Sequence, residues 1–196
     1  MKKAVAHLKS SDPVLGALID RIGPSRIHYR PATFDALVNS IINQQLSGKA
    51  AATIYGRLEA ALAPKGVEPR GILRLGEAGL RELGVSKQKG SYLLDLAEKT
   101  RTRQVDFEAL PKLSDAVVLE QLTAIKGIGE WTVHMFLMFA LRRPDVLPIG
   151  DLGIQNAIQK AYGLEARPKP KQVAELGAKW RPHASYAAWY LWRSLE

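Results

Sequence analysis

The 196-residue chain contains no cysteine. Disulfides, thiolate zinc sites and a cysteine-ligated iron–sulfur cluster are thereby excluded. Long apolar runs are also missing. The longest, Met135 to Leu141, is far too short to cross a bilayer, and MKKAVAHLKS lacks the apolar centre of a secretory signal. A soluble, intracellular, cytoplasmic protein without a membrane partner is expected. No stretch alternates apolar and polar residues as a half-buried strand would, and there is no internal repeat or low-complexity tract, so the expected fold class is all-α. Acidic side chains are outnumbered: 19 Asp and Glu face 28 Lys and Arg, a formal net charge of +9. That balance favours polyanionic partners, although many basic proteins carry only a solvated charged surface.

What is present suits one domain or two small lobes. An apolar content of 46% is ample for a buried core, and nothing indicates more than a monomer. DPVLGALIDRIG predicts a short helix with Asp12 as cap and Pro13 in its first turn, ended by Gly23-Pro24. Phe34, Leu37, Val38, Ile41 and Ile42 fall at amphipathic-helix spacing, and that helix runs out at Asn43-Gln44-Gln45-Leu46. Ser47 caps the next helix through Leu62, with Ala51, Ile54, Leu58 and Ala61 on its apolar side. From Ala63 to Gly84, prolines and glycines punctuate two brief helices. Ser86 caps another, carrying Tyr92, Leu93, Leu96 and Ala97 inward, while Lys87 and Lys89 in its first turn read as a solvated basic face, with a phosphate contact as the lesser alternative.

The chain is organised around Leu119 to Gln155. Val118, Leu122 and Ile125 recur at helical spacing, Lys126-Gly127-Ile128-Gly129 breaks the helix, and an apolar run from Trp131 to Leu141 resumes it. Both glycines are expected to supply backbone angles closed to other residues and to leave the amides opening the second helix uncovered, an arrangement that attracts phosphate. Asp151 stands at the N-cap position of LGIQNAIQKAYG, whose helix should stop at Gly163. A basic linker, EARPKPKQ, leads to two last helices around Leu176 and Tyr186.

The string LxxIKGIGxWTVxMF, followed by RPDVLPIGDLGIQ, resembles the signature of the helix-hairpin-helix (HhH-GPD) DNA glycosylases, and within them the 3-methyladenine glycosylase II, AlkA-like branch. IINQQLSGKAA, GVSKQKGSYLLDLA and KWRPHASYAAWYLWR are similar to family segments too, so the resemblance covers most of the chain. It implies two helical lobes, residues 31–143 containing the helix-hairpin-helix and residues 1–30 plus 144–196 carrying the catalytic acid, with a substrate cleft between them. The β-rich N-terminal domain of larger relatives is not expected here. The implied activity is monofunctional hydrolysis of the N-glycosidic bond of alkylated bases, of the 3-methyladenine and 7-methylguanine type, everted from double-stranded DNA during base excision repair.

On the matching positions the resemblance makes Asp151 the catalytic carboxylate. One acid is enough, because a purine methylated at N3 or N7 is already cationic and leaves without protonation, unlike the leaving group served by a glycosidase carboxylate pair. An N-cap role for Asp151 is compatible with this. Trp131 stands where bifunctional relatives carry a Schiff-base lysine, and an indole cannot attack the sugar; it would instead face the cationic base, or serve as a core aromatic. Met135 and His183 complete the implied base pocket, standing where relatives often place aromatics, which makes the pocket roomier; His183 also fits a simple helix-start residue. Lys126, Gly127, Ile128 and Gly129 would grip phosphate. Gln45 would fill the gap left by the everted base, with Leu46 as the alternative and Gln44 contacting a neighbouring base. Relatives often hold Na+ or K+ on hairpin carbonyls, here those of Ile125 and Gly127; no other cofactor is expected, and no metal-ligand spacing links His134 and His183.

Three other readings compete. A lyase-type glycosylase is disfavoured by Trp131 and the missing cysteines. A non-catalytic helix-hairpin-helix DNA-binding module has no use for a carboxylate near a phosphate-rich groove. A helical adaptor explains core and charge but not KGIG followed by GD.

Overall fold

The computed structural model describes residues 2–196 and, among them, contains eleven α-helices, two single 3-10 turns and no strand. The helices are α1 (Lys2–Ser11), α2 (Pro13–Ile22), α3 (Phe34–Asn43), α4 (Gly48–Leu62), α5 (Pro69–Glu82), α6 (Lys87–Arg101), α7 (Asp115–Thr123), α8 (Glu130–Phe139), α9 (Leu152–Tyr162), α10 (Pro170–Gly177) and α11 (Ala184–Arg193). Among the described residues, no helix is long and apolar enough to cross a membrane. The chain divides into two compact units, Arg30–Val133 and the residues up to Tyr29 together with His134–Glu196.

In the unit Arg30–Val133, short polar side chains start the helices. Thr33, Ser47, Ser86 and Ser114 each accept a backbone amide from the first turn of α3, α4, α6 and α7, satisfying donors that have no partner inside the helix. The stripe Phe34, Leu37, Val38, Ile41 and Ile42 of α3 is buried as its spacing requires. On α4 the inward residues are Ala51, Leu58 and Leu62. Ala61, expected on that face, is exposed and Ile54 only half-buried, because Leu62, four residues after Leu58, continues the stripe instead. The region after Ala63 carries the expected pair of short helices, joined as α5 across a break at Gly76 (φ 60°, ψ −170°).

The other unit contains α1, which the apolar pattern did not announce, since only Ala4 and Leu8 of its ten residues are buried. Asp12 follows it and organises this unit. Fully buried, its carboxylate accepts the amides of Val14 (3.1 Å) and Leu15 (3.2 Å), the Trp180 indole N–H (2.7 Å) and the Tyr162 hydroxyl, and pairs with Lys179 Nζ at 3.1 Å. One acid thereby joins α2, α9 and the turn after α10. The division between units falls within α8 rather than at residue 143. The residues after Val133 explain this: Phe139 packs on Trp192 (6.1 Å between rings), the Arg142 guanidinium lies 4.9 Å above the Tyr29 ring, and the Arg143 carbonyl accepts the Ser185 hydroxyl at 2.7 Å.

Burial alone would raise the pKa of Asp12, but bonds from Tyr162, Trp180, the Leu15 amide and Lys179 outweigh it and hold the group below its ordinary value of 3.8. A carboxyl depressed in the folded state contributes its stability above the unfolded value and loses it as pH falls through the lower folded value. Asp12→Ala is expected to cost about 3 kcal/mol at neutral pH, since it strands the buried Trp180 indole N–H, the Tyr162 hydroxyl and two helix-start amides. Urea denaturation should show the deficit at pH 7 and show it shrinking on acidification below about pH 4.

Candidate functional site

The hairpin between α7 and α8 is built on one glycine rather than two. Gly127 has φ +77°, and a Cβ there would lie 2.0 Å from Tyr92 Cδ2, so both backbone angle and space exclude a side chain. Gly129 has neither constraint: its φ is not positive and nothing lies within 4 Å of a Cβ built on it. Asp95 on α6 fixes the turn, accepting the Lys126 amide at 2.9 Å while paired with Lys99 Nζ at 2.7 Å. Burial raises its pKa, but Lys99 and the Lys126 amide reverse that and the carboxyl stays below its usual range. Ile128 is only 4% exposed and donates its amide to the Ile125 carbonyl at 3.1 Å. It is therefore a core anchor, and not a ligand contact in its own right. Among the described residues the Gly127 and Gly129 amides find no acceptor. They flank exposed Lys126 and the start of α8, where a helix carries partial positive charge.

The segment after α3 is tied to this hairpin. Gln44 donates its side-chain amide to the Gly127 carbonyl at 2.9 Å. Gln45 is exposed and has φ +54°, while Leu46 is 39% exposed. Lys89 is not the solvated cation expected from the sequence: half-buried, it donates to the carbonyls of Ile42 (2.7 Å) and Gln44 (2.6 Å). Lys87 is exposed. The carbonyls of Ile125 and Gly127 thus each accept one hydrogen bond already, from Ile128 and Gln44, and each keeps a second lone pair. Among the described residues no His, Asp or Glu cluster could hold a metal ion.

In the other unit Asp151 is the N-cap of α9, as its place in the sequence predicted. Its Oδ1 accepts the Ile154 amide at 2.7 Å and the Trp192 indole N–H at 2.9 Å. A Cβ at Gly153 would stand 3.0 Å from that oxygen and 3.1 Å from Trp192 Cδ1, so a side chain there would crowd the bond. The loop before Asp151 is anchored by Gln155, which donates to the Ile149 carbonyl at 3.1 Å. Leu152 beside the carboxylate is 58% exposed. Trp192 was not recognised from the sequence. It lies in a run with Trp189, and no spacing rule distinguishes the two.

Trp131 is 54% exposed in the first turn of α8, which rules out the core-aromatic role. Met135, four residues later on the same helix face, is half-buried. His183 precedes α11 with its ring edge-on to His7 (5.5 Å) and near Tyr186 (6.3 Å). Its Nδ1 is buried without a hydrogen-bond partner, and burial lowers its pKa. A shallow recess in this unit is lined by Tyr29, Met138, Phe139, Arg142, Ser185 and Tyr186 among others, and by neither Met135 nor His183.

Residues 38–183 match the family described as HhH-GPD superfamily base excision DNA repair protein. The chain belongs to that superfamily. Its all-helical fold matches a solved DNA-3-methyladenine glycosidase from Bacillus halodurans with a TM-score of 0.89 and 38% identity, covering 97% of this chain and 88% of that one. A 3-methyladenine DNA glycosylase of Schizosaccharomyces pombe, solved in complex with abasic DNA, matches with a TM-score of 0.83 and 32% identity over 98% of this chain and 96% of that one. A putative DNA-3-methyladenine glycosylase of Bacillus subtilis is 34% identical over 84% of this chain, which spans 60% of that relative's length. The HhH-GPD match takes in the Gln44 segment, the hairpin, Asp151 and His183, and stops short of Trp192.

The two hairpin glycines should respond differently to substitution. Gly127→Ala is expected to cost at least about 1–2 kcal/mol from its backbone angle alone, with more from collision with Tyr92. Gly129→Ala should leave thermal stability unchanged and weaken duplex DNA affinity at low salt, as read by melting curves and fluorescence anisotropy.

Proposed function

We propose that this protein is a monofunctional DNA glycosylase that hydrolyses the N-glycosidic bond of alkylated purines, of the 3-methyladenine and 7-methylguanine type, in duplex DNA. The observation that carries this reading is Asp151. It is a half-buried carboxylate held through one oxygen by the Ile154 amide and the Trp192 indole, in a chain of the HhH-GPD superfamily whose relatives are named 3-methyladenine glycosylases.

Breaking the bond between C1′ and a cationic purine sends the electron pair to the base, which leaves neutral, and builds positive charge on the sugar. Asp151 stabilises that charge and orients the water whose oxygen attacks C1′; the water's proton passes to the carboxylate and then to solvent. Two fixed donors on one carboxylate oxygen restrict its rotation, so little reorganisation is needed as the charge develops. Trp131, exposed on α8, offers a π face to an electron-poor base, a contact of roughly 0.5–2 kcal/mol that neutral purines do not share. Met135 and His183 are proposed, on the family motif alone, as further residues that contact the base. An indole in place of a lysine supports base release without strand cleavage.

Phosphate is held by Lys126 and the Gly127 and Gly129 amides, which makes affinity fall with salt, and Gln45, with Leu46 beside it, enters the duplex where the base leaves it. The Ile125 and Gly127 carbonyls, each with a lone pair remaining, would hold a monovalent cation, which would supply positive charge beside the hairpin. The protein acts as a monomer on the genome, inside the cell.

Duplex oligonucleotides carrying single alkylated bases test this, with free base and strand scission scored separately. Release without scission is expected; binding with neither would make the chain a DNA-binding module. Asp151→Asn should fold and bind abasic DNA normally while release slows by about 100-fold or more. Trp192→Phe keeps the ring on Phe139 but removes the N–H, and should slow release by about tenfold with DNA affinity unchanged.

A further inference from the structure

Among the described residues, Lys89 has no carboxylate partner; its ammonium is held by the carbonyls of Ile42 and Gln44 at the end of α3, at 2.7 and 2.6 Å. A cation at a helix C-terminus is favoured by the helix dipole and satisfies carbonyls that have no intrahelical donor. Gln44 is thereby gripped twice, through its main chain by Lys89 and through its side chain by the Gly127 carbonyl at 2.9 Å. Gly127 in turn lies against the ring of Tyr92, three residues beyond Lys89 on α6, and Gln88 of the same turn donates to the Tyr92 hydroxyl at 2.7 Å. The contacts close a ring: Lys89, Gln44, Gly127, Tyr92 and back along α6. At its edge sits Gln45, exposed at φ +54°, a conformation that a non-glycine residue keeps only where its surroundings impose it.

We propose that Lys89 is a positioning residue that locks the Gln45-Leu46 segment onto the helix-hairpin-helix, so that gripping the strand and filling the space of an everted base are done by one rigid element. The proposal rests on the glycosylase reading, in which Gln45 enters the duplex. Lys89 touches no DNA in this scheme. Without it the end of α3 loses its cation, the backbone at Gln45 relaxes, and the hairpin binds phosphate without a wedge in place.

Lys89→Met tests this, measured by affinity for undamaged duplex and for duplex with a single abasic site, alongside thermal melting. Abasic affinity should fall by about tenfold, the order set by losing hydrogen bonds from a charged donor, with undamaged affinity within about twofold of wild type. In a Gln45→Ala background, Lys89→Met should change abasic affinity no further, since the wedge it positions is gone. Lys89→Arg, which keeps charge and donors, should restore the preference for abasic DNA. A Lys89→Met protein that keeps that preference, loses both affinities equally, or melts below the assay temperature overturns the proposal in favour of a purely structural lysine. A wild-type protein with no preference for abasic over undamaged duplex overturns the glycosylase reading itself, and the role of Lys89 with it.

Discussion

No side chain fits at position 127. The backbone there is left-handed and the Tyr92 ring occupies the place of a Cβ, so α6 packs directly against the hairpin backbone. That contact lets Asp95, on the same helix, reach the Lys126 amide, and lets Gln44 reach the Gly127 carbonyl. The Gly127 and Gly129 amides are consequently presented on a turn braced from two sides. A phosphate-binding turn must hold its amides convergent before the ligand arrives, because ordering them afterwards would consume binding free energy.

Two aspartates in the second unit show how context assigns different work to one local motif. Asp12 and Asp151 both cap a helix, α2 and α9. Asp12 is closed off from solvent and takes donors from Tyr162, Trp180 and Lys179 besides its own helix, and its depressed pKa marks a group whose charge is satisfied by the fold. Asp151 is half-buried and shares its Oδ1 between one amide and one indole. The first has the environment of a structural anchor. The second keeps a carboxylate that is restrained through one oxygen and only half-buried.

The net charge of +9 is likewise divided. Lys89 serves two carbonyls, Lys99 serves Asp95, and Lys179 serves Asp12 while lying 5.4 Å from the Tyr162 ring centroid. These cations are engaged by partners within the protein. Lys126, exposed on the hairpin, belongs to the set that meets solvent and any polyanion. Counting charges identified a class of partner, but could not separate these two populations.

The sequence by itself determined what local physics governs. Helical periodicity placed the buried stripe of α3, serine and aspartate caps marked the starts of α2, α4, α6 and α9, and glycine marked the hairpin and the end of α9. With the family motif these signals also located Asp151 and the KGIG turn, because a cap and a turn are each specified within a few residues of chain. Tertiary structure decided which neighbours those residues acquired. Trp192 lies 41 positions from Asp151, Lys89 lies 45 from Gln44, and Gln44 lies 83 from Gly127. It also exposed Trp131, buried Ile128 and drew Lys89 inward. Such contacts depend on how whole helices pack, and no short-range preference of the side chain encodes them.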